Sequence, residues 1–241
     1  MFKIRAFRAV DDPIGCEKFI EGHRRVLTSI GITEVTSAKA EWMHSNAVFV
    51  IIVESEDGKQ VMGGARIHAA DTINQLPIEE ATGFLDNKVY DLIKSKTPEG
   101  TGEICGLWNS RQVAGMGIGS MFLTRAAVII APQIGLKSLF ALCAPYTIKM
   151  AESVGYKIVH DLGNNGTFYY PKLDLVATVM FLDDTEKLKT ADPLERTIIE
   201  KFRKKPTQIS TESLKENAEV VIDFNLVLNN ININEFHLTN I

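Results

Sequence analysis

The sequence predicts an α/β fold in which strands and helices alternate through residues 1–183, with a C-terminal extension over 184–241 packed on the same domain. Three observations carry this. Dense β-branched or apolar runs such as AVFVIIVES and LKSLFALCA are short and fit buried strands. Between the strands lie segments with helical spacing of apolar residues, as in Ile14, Phe19, Ile20, Val26, Leu27 and Ile30. Glycine and proline punctuate the junctions.

Taken in order, FKIRAFRAV alternates apolar and polar residues and predicts a first strand, and the helical pattern follows from Asp11 to Ile30. AVFVIIVES, the turn EDGKQ and VMGGARIHAA predict a hairpin, with Gly63 and Gly64 marking a bulge or the close approach of another backbone or a ligand. IEEATGFLDNKVYDLIKSK predicts one or two short helices, TPEGTG a loop, EICGLWNS a strand and IGSMFLTRAAVIIAPQI a mostly buried helix. LKSLFALCA is a strand ended by Pro145, YTIKMAESVGY a short helix closed by Gly155, KIVHDLG a strand and NNG a turn. TFYYPKLDLVATVMFL continues with strand residues, Pro171 being confined to an edge or a bulge. Beyond Asp183, PLERTIIEKFRKKP predicts a helix between prolines, and STESLKENAEVVIDFNLVLNNINI a segment that opens as helix and then loses a decided period.

Composition narrows the function classes. An apolar share of 45% and a charged share of 23% suit a soluble globular chain, and 241 residues can bury a substantial core. A net charge of −4 without blocks of like charge argues against a nucleic-acid partner, and KFRKK reads as the solvated face of a helix. No apolar run is long enough to span a membrane, and MFKIRAFRAVDD lacks the apolar core of a signal peptide, so a cytoplasmic location is expected. Cys16, Cys105 and Cys143 are widely spaced and the histidines scattered, so no metal is expected.

QVAGMGIGSMFL, residues 112 to 123, places glycines at 115, 117 and 119 before an apolar helix. Such a cluster allows backbone amides to lie against an anion at a helix N-terminus, or simply makes a tight turn. A dinucleotide motif belongs early in the chain with an acid some way downstream, and a P-loop needs Gly-Lys-Ser/Thr; neither condition is met.

The order of elements around this loop, together with EICGLWNSRQVAGMGIGSMFL and AESVGY, resembles the GNAT acyltransferase superfamily over roughly residues 1–182. The resemblance implies a mixed central sheet with helices on both faces. It also implies an acyl-CoA-dependent N-acyltransferase, acetyl-CoA or another acyl-CoA being the co-substrate and a small-molecule or amino-acid amine the acceptor. In that family the loop wraps the coenzyme A pyrophosphate, which assigns Gly115, Gly117, Ile118, Gly119 and Ser120 to donor binding through their amides. Aligning on GMGIGSMFL puts Ala114 where the family carries Arg or Gln, whereas aligning on Gln112 keeps Q-x-x-G-x-G and moves the helix by two residues. Gln112 and Asn109 remain donor contacts in this reading.

Glu103 opens the fourth strand, where the family carries a carboxylate base. The family's Asn and Tyr positions fall on Ala144 and Ala151, leaving Tyr146 as the substitute general acid. Arg66 and His68 alternate onto one face of the third strand and, with Trp108, form the expected acceptor pocket, Arg66 suiting a carboxylate. GGARIHAADTINQLP and GEICGLWNS also resemble the G-x-x-R-L…E-x-S-R layout of acyl-homoserine-lactone and long-chain N-acyl amino acid synthases, with Gly106 in place of the second arginine. That layout implies acyl carrier protein as an alternative donor. The missing Asn and Tyr suggest a third reading, a non-catalytic acyl-CoA-binding domain. The tail from residue 184 has three available roles: covering the acceptor cleft, building a homodimer contact or finishing the core.

Overall fold

The computed structural model of the chain describes residues 1–32, 40–71, 73–114, 120–213, 219–229 and 231. Strand β1 (Phe2–Arg8) leads into helix α1 (Pro13–Ser29), which starts at a proline and is capped by Asp12, whose carboxylate accepts the Gly15 N–H at 2.9 Å. Strands β2 (Val48–Ser55) and β3 (Val61–Ala69) form the expected hairpin, Gly58 taking φ +70° in its turn. Helices α2 (Pro77–Thr82) and α3 (Lys88–Lys96) precede strand β4 (Thr101–Asn109). The apolar helix α4 is Met121–Ile130, shorter than the sequence pattern because Ala131–Ile134 tightens into a 3-10 turn around Pro132. Strand β5 (Ser138–Cys143), helix α5 (Ile148–Ser153) and strands β6 (Lys157–Ile158), β7 (Thr167–Tyr169) and β8 (Val176–Leu182) follow.

Two expectations are corrected. TFYYPKLDLVATVMFL is not one strand: β7 and β8 pair antiparallel, and Pro171 sits in the connection, where Tyr170 N–H donates to the Leu175 carbonyl at 2.9 Å. After helix α6 (Pro193–Lys204), STES does not begin a helix but ends strand β9 (Thr207–Ser213), which pairs with strand β10 (Glu219–Asn225). β9 alternates exposed and half-buried residues, the period of a sheet edge, and the β-branched EVVIDFN finds strand partners on both sides.

The strands run in the order β6-β8-β5-β4-β3-β2-β1-β10-β9, with β7 also on β8. β4–β5 and β1–β10 are parallel; the other pairs are antiparallel. The extension therefore continues the sheet beside β1, and α6 is tied to α4 by a forked ion pair from Arg125 to Glu195, 2.6 Å on each arm. The main core lies under α4, α5 and α6. The opposite face is covered by α1 over β1–β4 and by α2 and α3 beside β5 and β8. All three cysteines are buried free thiols.

Two local features shape the centre of the sheet. β4 and β5 pair from Thr101↔Ser138 to Ile104↔Ala141, and beyond Ile104 the two strands part. On its other edge β4 carries a bulge: Gly64 faces Trp108 and Arg66 faces Cys105, leaving Gly106 and Leu107 opposite Ala65 alone. The extra residue resets the alternation, so that Trp108 points to the same face as Cys105.

Candidate active site

That face, under α1 and α2, collects the polar residues of β3 and β4. His68 lies opposite Glu103 and Arg66 opposite Cys105. Glu103 is 2% exposed, and its Oε2 accepts the Ile78 N–H from the first turn of α2 at 2.7 Å. Burial pushes its carboxyl up to about 8; the Ile78 amide and the Arg66 cation hold it back, while Glu79 and Glu80 of α2 add to the rise. A carboxylate with its affinity for protons moved into the neutral range has the property a general base requires.

Arg66 is fully buried. Its guanidinium lies 4.3 Å from the Trp42 ring centroid and 5.6 Å from that of Phe19, a cation-π cage in which Phe19 meets Trp42 and Trp108 edge to face at 5.6 and 5.9 Å. Burial lowers its pKa, and Cys105 and Glu103 raise it. Gly106 explains the lost second arginine. It sits at φ +57°, and a Cβ there would lie 3.1 Å from Nη2 of Arg66, so the guanidinium occupies the space of a side chain. Arg66 is thus an internal cation beside Glu103, not a residue open to an incoming carboxylate. His68 is partly buried with Nε2 inaccessible, and burial followed by the Arg66 charge holds its pKa well below the usual imidazole value.

Trp108 is the wall between this cluster and a cleft of about 730 Å³. Its ring lies directly on Gly22 of α1, where a Cβ would come within 2.1 Å. Lys18 and Arg25 of α1, Lys59 of the hairpin turn and Arg111 line the cleft with Gln112, against the one carboxylate of Glu21. The Ser110 hydroxyl beside them is buried without a hydrogen-bond partner among the described residues. Asn109 stands against Gly63, where a Cβ would be 3.0 Å from its Oδ1. Gly63 and Gly64 are therefore sites of close approach, Gly64 beneath the Phe19 ring.

Of the loop residues assigned to donor binding, Gly115, Gly117, Ile118 and Gly119 lie outside the described residues. Ser120 is the N-cap of α4, its carbonyl accepting the Thr124 N–H at 2.9 Å. Tyr146 is 87% exposed in the turn after β5, remote in character from the buried cluster. Sequence reasoning missed Trp42, whose aromatic in the otherwise polar AEWMHSN was its only signal, and Tyr156. The Tyr156 hydroxyl is buried on the α4 face with no partner among the described residues, and Cys143 and Glu103 act on it electrostatically. No group of three or more His, Cys, Asp or Glu side chains able to hold a metal occurs among the described residues, and no helix there is long and apolar enough to cross a membrane.

No family model matches the sequence, and no curated protein matches it. Solved structures match its fold. The N-acyl amino acid synthase FeeM from uncultured soil microbes superposes with a TM-score of 0.59 at 11% identity, over 82% of this chain and 98% of that one. The CoA-dependent acyl-homoserine lactone synthase BjaI, solved with SAM and isopentyl-CoA, gives 0.56 at 11% identity over 86% and 92% of the two chains. MesI, another CoA-dependent acyl-homoserine lactone synthase, gives 0.51 at 9% identity over 85% and 95%. The mixed sheet with helices on both faces, parting between β4 and β5, is accordingly the GNAT fold that these structures share.

Proposed function

We propose that this protein is an N-acyltransferase that moves an acyl group from a thioester donor to an amine by direct attack. The observation that carries the reading is Glu103: a buried carboxyl titrating near 8, on the strand that parts from β5, in a fold shared with an N-acyl amino acid synthase and acyl-homoserine lactone synthases. An acceptor amine arrives mostly as its ammonium ion and must lose a proton before its lone pair can attack. Glu103 takes that proton. The neutral amine then adds to the thioester carbonyl and the C–S bond breaks. One of the two remaining amine protons is lost while the other stays on the amide, and the sulfur gains a proton, with Tyr146 as the donor on the exposed side of β5. Where β4 has parted from β5, beyond Ile104, the strand offers backbone groups to the pantetheine arm, and Asn109, Gln112 and the loop 115–120 take the phosphate end of the donor.

The donor is coenzyme A or an acyl carrier protein; the cations of the cleft suit the phosphates of either. A long-chain N-acyl amino acid or acyl-homoserine-lactone type synthase is the more specific form of the reading, favoured by Arg66 and Glu103 in their shared layout. The test is release of free thiol from acetyl-CoA, palmitoyl-CoA and palmitoyl-acyl carrier protein, each with a panel of amino acids and small amines. Thiol release that depends on an amine and is lost in Gly117→Asp supports the proposal. Donor binding without turnover for any acceptor would favour the silent acyl-CoA-binding domain.

A further inference from the structure

Acyl transfer from a thioester to an ammonium acceptor yields an amide, a thiol and one proton in excess. If Glu103 is the base, that proton is left on a side chain that is 2% exposed and enclosed by Ile78, Arg66 and the cross-strand ladder. It has to reach water before the next turnover. We infer that His68 is the relay that carries it out, a role that rests on the proposed reading of Glu103 as base.

The placement supports this directly. His68 is paired with Glu103 across β3–β4, on the same face of the sheet, where side chains of opposed residues stand roughly 5 Å apart at Cβ. Among the described residues its Nε2 is shut away from solvent and makes no hydrogen bond, yet the residue as a whole is partly exposed. An imidazole with one inner nitrogen and a solvent-reaching body accepts a proton on one side and loses one from the other. Its charged neighbours set the direction. Arg66, on the same strand, disfavours a resting imidazolium, while Glu79 and Glu80 on α2 act on Glu103 opposite it and raise that carboxyl's hold on a proton. The ring therefore rests neutral and passes the proton without retaining it: Glu103 gives its proton to Nε2, Nδ1 releases its own to water, and the carboxylate is restored. The ring, left as the Nε2–H tautomer, swings to water and exchanges back to the Nδ1–H form before the next turnover. Val48, the residue opposite His68 on β2, is apolar and offers no competing path.

The experiment compares His68→Gln, His68→Ala and Glu103→Gln in the same thiol-release assay, with and without added imidazole. His68→Gln should lower kcat about tenfold or more with KM for the donor unchanged, and imidazole should restore His68→Ala in proportion to its concentration. Glu103→Gln should fall about a hundredfold or more and be beyond rescue by imidazole. A His68→Gln variant within twofold of the native kcat, or a folded His68→Ala that imidazole does not rescue, overturns the relay while leaving the base assignment standing. A fully active Glu103→Gln removes the base and the relay together. Should both His68 variants misfold, the native protein decides: a proton inventory in H2O–D2O mixtures that curves, as two transfers require, supports the relay, and a linear one or none overturns it.

Discussion

The two faces of β3 and β4 are built on opposite principles within the same strands. Ala65, Ile67 and Ala69 of β3, with Ile104 of β4, point toward α4 into a core of aliphatic side chains. Arg66 and His68, with Glu103 and Cys105, point the other way; Arg66, Glu103 and Cys105 are as deeply covered, and His68 is partly so. Neither face is a solvent face, so the period-two pattern here separates a dry core from a buried polar one. The lesson is that burial and polarity are independent variables in this sheet. The aliphatic face supplies stability through the hydrophobic effect. On the polar face charge is held out of water at a cost, which is the usual signature of a site whose proton affinities matter.

The sharpest way to break this comparison is Glu103→Gln, which keeps shape and the hydrogen bond from Ile78 but removes the proposed proton acceptor. Amine-dependent thiol release should fall by about a hundredfold or more. Stability should move the other way. The carboxyl is held near 8 in the fold and titrates near 4.5 when unfolded. Between those values the unfolded chain gives up the proton and the folded chain keeps it, so native stability is greatest below the lower value and declines as pH rises toward 8, by up to about 1.4 kcal/mol per pH unit. Urea melts at pH 5 and pH 8.5 should show this decline in the native protein and its loss in Glu103→Gln. With Glu103 as the proposed base, catalysis should run opposite to stability, kcat/KM rising with pH until Glu103 is ionised.

Arg66→Ala and Ile67→Ala then test adjacent residues that point to opposite faces. Removing Arg66 leaves the Trp42–Phe19 cage empty, a cavity loss of about 2–5 kcal/mol, and takes from Glu103 the cation that holds its pKa down. In any folded fraction the pH–rate curve should shift upward. Ile67→Ala should cost about 2–5 kcal/mol through its cavity, with turnover per folded molecule and the pH–rate curve unchanged. A shifted pH–rate curve in Ile67→Ala would show that the faces are coupled.

Much of this division was legible in the sequence, because alternation in VMGGARIHAA already placed Arg66 and His68 on one side, and Glu103 stood at the start of an apolar strand. What alternation cannot reveal is depth. A strand with polar residues at every second position reads as half-exposed, and only α1, α2 and Trp42 packing over it make Arg66 internal. The bulge was equally hidden. Gly106 carries positive φ, yet in EICGLWNS one glycine inside a strand does not say which edge it bends or that Trp108 is turned by it. The extension misled for another reason: the residues Lys, Glu, Asn and Ala after STES favour helix by composition, whereas β10 takes its conformation from the open edge of β1.

The smallest effects concern two tyrosines that the same comparison sets apart. Tyr156 places a hydroxyl without a partner on the otherwise aliphatic face, and a buried unsatisfied hydroxyl costs about 1–3 kcal/mol relative to one that is hydrogen-bonded. Tyr156→Phe should therefore raise the urea midpoint modestly, by about 1 kcal/mol or less in stability, and leave kcat alone. Tyr146 is exposed, so Tyr146→Phe should leave the midpoint unchanged and lower kcat several-fold if its hydroxyl protonates the leaving sulfur. The reverse pattern is equally readable. A stabilised but slow Tyr156→Phe beside a fully active Tyr146→Phe would move the proton donor to the α4 face, close to the electrostatic neighbours Cys143 and Glu103. In that event the dry core is not wholly dry, and the parting of β4 from β5 is the passage through which the two faces meet at the thioester.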